Sequence, residues 1–379
     1  MRNPAPFGVY VHIPFCAARC DYCDFATWTD RAHLIDAYVD ACVIDLHARR
    51  AEGYPSATSV FFGGGTPSLI PAHALARILD AIERTPDAEV TVECNPDSVD
   101  SEKFATYYAA GVNRVSLGVQ SLAPHVLRDL GRTHNPANVA GAVEGAKSAG
   151  IDRVNVDVIY GTPGESIEDW ERTLTGALAL EVEHVSAYAL TVEAGTPLGH
   201  RVAAGAAPGP DDDDQAEKYA LADDLLTAAG LEWYEISNWA RPGGACRHNN
   251  VYWDQGEYLA IGCAAHGHTG GRRWWNVRTP DRYIERITAK SSPEAGSELL
   301  LGAERAAEAF TLALRTRGGA VPLPGSEHVL AELAADGLCA FVGERVVLTR
   351  SGRLLANEVT ARALAAHEHA SGGGCPAEQ

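Results

Sequence analysis

The chain has 379 residues, 46% of them hydrophobic and 21% charged, with a formal net charge of −19. That length can bury a large core and holds one main domain plus a smaller one. The acidity argues against a broad basic surface for nucleic acid, and no apolar run is long enough to cross a bilayer.

Nine cysteines, an odd number, fit a reducing compartment in which thiols serve metals or fill the core. Met1-Arg-Asn-Pro-Ala-Pro precedes the first strand without an apolar signal stretch. The expected location is the cytoplasm, with at most peripheral contact at the inner face of a membrane.

Gly8-Val-Tyr-Val-His-Ile13 alternates like a strand, and Pro14 ends it. The loop beyond reads Cys16-Ala-Ala-Arg-Cys20-Asp-Tyr-Cys23, a C-x3-C-x2-C triad. A structural zinc site wants four protein ligands, usually drawn as two separated pairs. Three thiolates on one short loop instead leave one iron of a cubane [4Fe–4S] cluster without a protein ligand. That iron can chelate the amino and carboxylate groups of S-adenosylmethionine, and the cluster can pass one electron into the sulfonium. The competing readings are three unrelated reduced thiols and a zinc knuckle completed by His12.

Short β-branched runs recur at 9–13, 59–62, 90–93, 114–119, 154–159 and 185–190. Helical patterns lie between them at 35–50, 75–84, 101–110, 137–149 and 168–180. This repeat predicts an α/β fold, a partial (βα)6 TIM-like barrel with functional loops at the C-terminal strand ends. A doubly wound open sheet is the competing fold. A further helix–strand pair at 215–229 and 232–236 follows, and the rhythm breaks at 239–244. The acidic run Asp211-Asp-Asp-Asp214 reads as a helix start rather than a metal site.

After the second strand, Gly63-Gly64-Gly65-Thr66-Pro67 lets backbone N–H groups turn toward an anion or carboxylate, or forms merely a tight turn. The third strand ends Val90-Thr-Val-Glu93-Cys-Asn95-Pro96 and the fourth Leu117-Gly-Val-Gln120-Ser121. Asn155 and Asp157 of the fifth share one face. Polar groups inside a barrel need partners, so a polar ligand in the lumen accounts for them together, while internal hydrogen bonding remains the alternative for Asn155. Arg132 is the cation suited to a ligand carboxylate, against the alternative of a surface arginine. Cys246-Arg247-His248-Asn249-Asn-Val-Tyr252-Trp253 offers a histidine among aromatics, which can ligate haem iron or satisfy its own turn.

From 297 to 364 the pattern becomes helix, helix, hairpin, helix, with the hairpin turn at Gly343-Glu344. This is a winged-helix-like α+β module. It has no lysine and more acids than arginines, which favours packing or a protein partner over DNA. Cys42, Cys94, Cys263 and Cys339 read as packing residues, and Cys375 as a bystander in the tail.

Together these residues resemble a known family. Tyr10-Val-His12-Ile-Pro-Phe-Cys16, Cys20, Cys23, Gly63-Gly-Gly-Thr-Pro67, Glu93-Cys-Asn-Pro96, Gly118-Val-Gln120-Ser121, Tyr188-Ala-Leu-Thr191, Tyr234-Glu-Ile-Ser-Asn238 and His248-Asn249-x-x-Tyr252-Trp253 are similar to the radical S-adenosylmethionine proteins of the oxygen-independent coproporphyrinogen III oxidase group. Within that group the haem-chaperone branch fits best.

The resemblance implies a barrel domain at 1–230, a connecting segment with the haem motif at 231–296, the winged-helix-like module at 297–366 and a flexible tail at 367–379. Cys16, Cys20 and Cys23 would hold the [4Fe–4S] cluster. Tyr10, Tyr22, Gly64, Gly65, Thr66, Glu93, Gln120, Arg132 and Asp157 would line S-adenosylmethionine, with further cofactor contacts at Ala189 and His266. His248, Asn249, Tyr252 and Trp253 would bind haem, with His248 on the iron.

The implied function is a haem chaperone delivering haem to respiratory or other haem proteins, with a haem-storage donor and a homodimer among its expected associations and no nucleic acid. The enzymatic alternative is oxidative decarboxylation of coproporphyrinogen III. Two departures argue against it: Phe25 stands where the oxidases place a fourth cysteine, and only fifteen residues precede Cys16. A transcriptional regulator, the third class, would show salt-sensitive DNA binding.

Overall fold

Each of the six alternating runs forms a strand: β1 (Phe7–Ile13), β2 (Ala57–Gly64), β3 (Arg84–Cys94), β4 (Arg114–Gln120), β5 (Arg153–Tyr160) and β6 (His184–Ala189). The computed structural model describes residues 5–132 and 134–372. All six strands pair in parallel and in chain order. A doubly wound sheet reverses its strand order part-way; here it never reverses, so right-handed crossovers put every connecting helix on one face and the sheet curls around the other. The crossovers are the helices Ile35–Ala51, Ala72–Asp80, Ser101–Ala110, Asn138–Ser148 and Ile167–Ala179.

Side-chain alternation divides the two faces. Val9, Val11, Val60, Phe62, Val90, Val92, Val115, Leu117, Val154 and Val156 are buried beneath the helices. Between them, Tyr10, His12, Glu93, Ser116, Asn155 and Asp157 face inward. The lumen is therefore polar, as a ligand-holding barrel requires and a merely packed one does not.

The sheet is wider than the βα rhythm predicts. β7 (Glu232–Glu235) and β8 (Asn238–Ala240) add antiparallel strands beyond β6, and β9 (Glu257–Ile261) lies parallel beside β1. β10 (His266–Thr269), β11 (Arg272–Asn276) and β12 (Glu294–Leu299) continue from β9 as an antiparallel extension. Twelve strands result. The stretch 231–296, which the sequence presents as a connection, supplies half of them. Its strands are short and rich in Trp, Arg and Gly, and only two short helices, Arg247–Trp253 and Pro280–Thr288, stand between them, so neither period stands out.

The C-terminal module comprises the helices Gly302–Leu314, Glu327–Ala335, Arg350–Leu354 and Ala356–Gly372 with the hairpin β13 (Cys339–Val342) and β14 (Arg345–Leu348). Its own core includes Phe310, Leu314, Leu330, Leu333, Val346 and Val359. The last helix runs to Gly372, into what the sequence presents as a tail; Cys375 lies outside the described residues. Asp211 caps the helix Asp212–Ala228 by accepting the Asp214 N–H at 2.9 Å, so the acidic run is a helix start. Cys42, Cys94, Cys263 and Cys339 are buried. Among the described residues no helix is long and apolar enough to cross a membrane.

One buried ion pair fastens the module to the barrel. Arg353 donates to both Asp223 oxygens at 2.9 and 2.6 Å, and Asp223 also accepts from Trp239 Nε1 at 2.9 Å. The guanidinium lies 4.5 Å from the Trp233 ring centroid. Arg353→Ala removes the bidentate partner of this carboxylate and leaves it Arg350 at 3.5 Å and Trp239 Nε1, at a cost of roughly 1.5–3 kcal/mol. Thermal unfolding followed by near-UV circular dichroism should show the variant melting earlier, the module separating from the barrel transition.

Candidate functional site

The cysteine loop is pinned at both ends before any ligand is considered. The Cys16 N–H donates to Trp28 O at 3.1 Å and the Trp28 N–H to Pro14 O at 2.8 Å, closing its base. Asp21 reaches across the mouth: its N–H donates to Leu130 O at 3.1 Å and its carbonyl accepts from the Leu198 N–H at 2.9 Å. Cys16, Cys20 and Cys23 are half-buried free thiols. Burial raises the Cys16 thiol and pushes Cys23 up to about 11, so iron taken up here displaces protons.

The donor set fits a cluster better than a single ion. Among the described residues no three His, Cys, Asp or Glu side chains converge as a one-metal site does; a cubane spreads its thiolates, each on a separate iron. The zinc alternative loses its fourth ligand. His12 Nε2–H donates to Ala26 O at 2.9 Å, the Tyr10 hydroxyl donates to Nδ1 at 3.1 Å, and burial pushes the ring down to about 4.

The glycine edge closes against this loop. Cys16 Sγ accepts from Thr66 Oγ1 at 3.7 Å, and a Cβ on Gly65 would fall 3.0 Å from the same sulfur and 2.8 Å from Phe15 O. Gly64 has φ +111°, and a Cβ there would meet the His12 ring at 2.4 Å. No side chain fits at either position. The three backbone N–H groups of the edge are all used inside the protein, and one of them does turn toward a carboxyl group. Gly64 donates to Glu93 Oε2 at 3.1 Å, Gly65 to Ile13 O at 2.8 Å and Thr66 to Phe15 O at 2.9 Å. The Glu93 carboxyl group thus lies against this edge.

Glu93 is pushed up to about 8, first by burial and then by the nearby Asp157 carboxylate. Asp157 accepts from Ser116 Oγ at 2.7 Å and from Asn155 Nδ2 at 2.8 Å. Asn155 also donates to Ser186 Oγ at 3.0 Å and engages His184, so its role is the internal one. Gln120 ends β4 at φ +63°, a left-handed conformation uncommon for a non-glycine residue, at a break in the β4–β5 register. Arg132 is no surface cation. Its Nη2 donates to Gly118 O at 2.6 Å and its Nη1 to Cys20 Sγ at 3.4 Å, while its buried Nε has no partner among the described residues. Tyr22 packs beside Val126, Leu130 and Leu198 under the loop. Ala189 is exposed at the end of β6, in register with Tyr160.

A cavity of about 450 Å³ opens next to the cysteine loop, and Tyr10, Gly64, Glu93, Tyr252, Tyr258 and His266 line it. Five of these were named from sequence. Tyr258 was not singled out as a ligand contact, nor was Arg278 on the same wall, which stands in no motif.

The haem motif is divided by the helix Arg247–Trp253 that carries it. His248 is 1% exposed, with Nδ1 on Ser59 Oγ at 3.0 Å and Nε2 on the Tyr252 hydroxyl at 2.8 Å. Its N–H donates to Glu89 at 3.1 Å. Ser59, the third residue of β2, pairs with Glu89 in the middle of β3, so His248 sits several residues below the C-terminal strand ends that carry the cysteine loop. Both ring nitrogens of His248 are thus hydrogen-bonded within the protein. Asn249 donates to the Tyr234 hydroxyl at 3.0 Å, and Trp253 stacks against Arg315 of the C-terminal module at 5.6 Å. Of the four, Tyr252 reaches the cavity.

A model of the radical S-adenosylmethionine superfamily matches residues 10–175. The haem chaperone HemW of Mycobacterium tuberculosis (strain CDC 1551 / Oshkosh) is 47% identical over 367 residues, covering 93% of this chain and 94% of that one. HemW of Bacillus subtilis (strain 168) is 34% identical over 93% of this chain and 97% of its own length. Among solved structures, the coproporphyrinogen III oxidase HemN of Escherichia coli, a radical S-adenosylmethionine enzyme, superposes with a TM-score of 0.82 over 95% of this chain and 90% of its own. At 21% identity that likeness speaks for the fold alone. Motif, barrel and relatives agree, and the chain belongs to the HemW haem chaperone family within the radical S-adenosylmethionine superfamily.

Proposed function

We propose that the chain binds haem and hands it to haem proteins, and that it works with a [4Fe–4S] cluster on Cys16, Cys20 and Cys23 and with S-adenosylmethionine. The radical S-adenosylmethionine family implies that cluster and that cofactor. The observation that carries the reading is the aromatic-walled cavity of about 450 Å³ beside the cysteine loop, within the range of cofactor pockets. When bound, the cluster supplies an open iron and one electron for the sulfonium.

The protein's own groups divide the task of holding the cofactor. Glu93, beside the Gly64–Thr66 edge, receives the amino end. Arg132 is fixed against Gly118 and Cys20 so that its remaining N–H faces a carboxylate. Gln120 and Asp157, on neighbouring strands, offer hydrogen bonds to the ribose. Tyr10 and Tyr22 wall the lumen, with Ala189 and His266 at its mouth.

Respiratory enzymes are the proposed acceptors, a haem-storage protein the donor, and a homodimer at the cytoplasmic face of a membrane the working form. Phe25, 61% exposed on the cavity wall, replaces the thiol of the oxidase pattern and supports carriage over decarboxylation.

Anaerobically reconstituted protein tests the reading when haem binding, S-adenosylmethionine cleavage and coproporphyrinogen turnover are measured on one sample. A stable haem complex without sustained turnover is expected. Sustained porphyrinogen oxidation without a haem complex would overturn it.

A further inference from the structure

β4 does not end as an ordinary strand. The Ser121 N–H donates back to Val119 O at 2.7 Å across a single residue, and that residue is Gln120 at φ +63°. This is a γ-turn of positive φ, a rare and strained form for a residue with a side chain. Strain of this kind persists only where the surroundings fix it.

The turn sets the direction of the Gln120 side chain. Its amide folds back over Gly118: a Cβ on Gly118 would meet Gln120 Nε2 at 2.9 Å and Arg132 Nη2 at 3.0 Å. The bare Gly118 backbone is therefore where amide and guanidinium come together, and Arg132 is tied there through Gly118 O.

One side chain behind this turn has no part in holding the cofactor. His134 is 5% exposed, and neither of its ring nitrogens completes a hydrogen bond among the described residues. The polar group at its ring is the backbone of Val119, whose carbonyl closes the γ-turn. Its own loop is fixed on both sides. The Arg132 N–H donates to Leu127 O at 2.8 Å, and the Asn135 N–H is shared by the two Asp97 oxygens at 3.3 Å each. Burial, and after it Arg132, pushes the His134 pKa down to about 4, so the ring is neutral near pH 7 and sets no second cation beside the guanidinium. A buried imidazole carries a desolvation cost that an apolar side chain of similar size would avoid.

We propose that His134 is a positioning residue for the cofactor site: its ring braces the Val119 carbonyl and so holds the γ-turn that presents the Gln120 amide beside Arg132. The inference rests on the S-adenosylmethionine reading of Gln120 and adds the group that stands behind it.

Calorimetry on the anaerobically reconstituted full chain reads S-adenosylmethionine affinity, and electron paramagnetic resonance of the reduced cluster reads the cofactor's effect on the iron. His134→Leu is expected to weaken affinity by roughly tenfold, with iron content unchanged and the wild-type spectral change retained at saturating S-adenosylmethionine. His134→Gln, which returns an N–H to the same carbonyl, should recover most of that loss. Gln120→Gly adopts positive φ freely and has no amide to aim. It should bind weakly by itself, and His134→Leu added to it should cost less than about a further twofold. His134→Ala carries the same expectations where the branched side chain is not accommodated.

Wild-type affinity in both His134→Leu and His134→Ala would overturn the inference alone, as would an undiminished tenfold loss on the Gln120→Gly background. Wild-type protein that binds no S-adenosylmethionine would overturn the cofactor reading and this inference with it.

Discussion

Replacing Cys20 by alanine is expected to reduce the iron recovered after anaerobic reconstitution from about four atoms per chain to a small fraction of that. A cubane with three protein thiolates has no spare ligand, so losing one leaves two irons open to solvent and the cluster dissociates. The loop would survive the change, since its anchors are backbone bonds from Cys16, Asp21 and Trp28 that do not involve the Cys20 side chain. Circular dichroism should therefore match the wild type while the broad charge-transfer absorption near the visible edge disappears. Full iron and sulfide content in Cys20→Ala would remove these thiols as the cluster ligands. Arg132 supplies an internal check: it loses its sulfur partner in the same variant but keeps Gly118 O at 2.6 Å, so its own position should hold.

The second large effect concerns Glu93 and pH. Burial and Asp157 push its pKa up to about 8, so in the ligand-free fold it keeps its proton at neutral pH. A carboxyl group with a raised folded pKa holds more protons folded than unfolded between its ordinary pKa and the raised one. Ligand-free stability from this group therefore falls as pH rises through that window. Cofactor binding should run the other way. An amino group that ligates iron does so as the neutral amine and gives up its own proton on binding, and its remaining N–H groups favour the Glu93 carboxylate as acceptor, so binding near pH 7 releases protons from both and affinity rises toward pH 8. Calorimetry in two buffers of different protonation heat reads those protons directly. Glu93→Gln should reduce the release to the part contributed by the amino group, make the pH profile shallower and weaken S-adenosylmethionine by roughly 10–100-fold, the worth of a hydrogen bond to a charged group. A wild-type affinity indifferent to pH between 6.5 and 8 would remove Glu93 from the amino-end contact.

The barrel was legible because its residues obey two simple periods. Val9, Val11 and Ile13 alternate with Tyr10 and His12, and each strand is followed by a helical pattern, so six βα units could be placed to within a few residues. What escaped notice was structure with neither period. β10, β11 and β12 are four to six residues long, carry Arg, Gly and Trp where β-branched residues are expected, and pair antiparallel, with the helix Pro280–Thr288 between the last two.

At the candidate site, residue types were legible but their directions were not. The glycine run announced a backbone exposed at a strand end, yet which groups it exposes depends on Ile13, Phe15 and Glu93, distant in sequence. His248 is the sharpest instance. A histidine beside aromatics looks the same in one dimension whether it faces a ligand or the barrel floor. Here the ring is held by Ser59, 189 residues away.

Tyr252 and Trp253 are neighbours on one turn of helix, and they face opposite partners. Tyr252 forms the cavity floor, while Trp253 lies against Arg315 of the C-terminal module, whose next residues pair with β7 through the Arg317 N–H and Tyr234 O at 2.9 Å. One turn of helix therefore joins the cavity lining to the contact with the module, so a change in how Arg315 sits against Trp253 would reach Tyr252 through a single peptide bond.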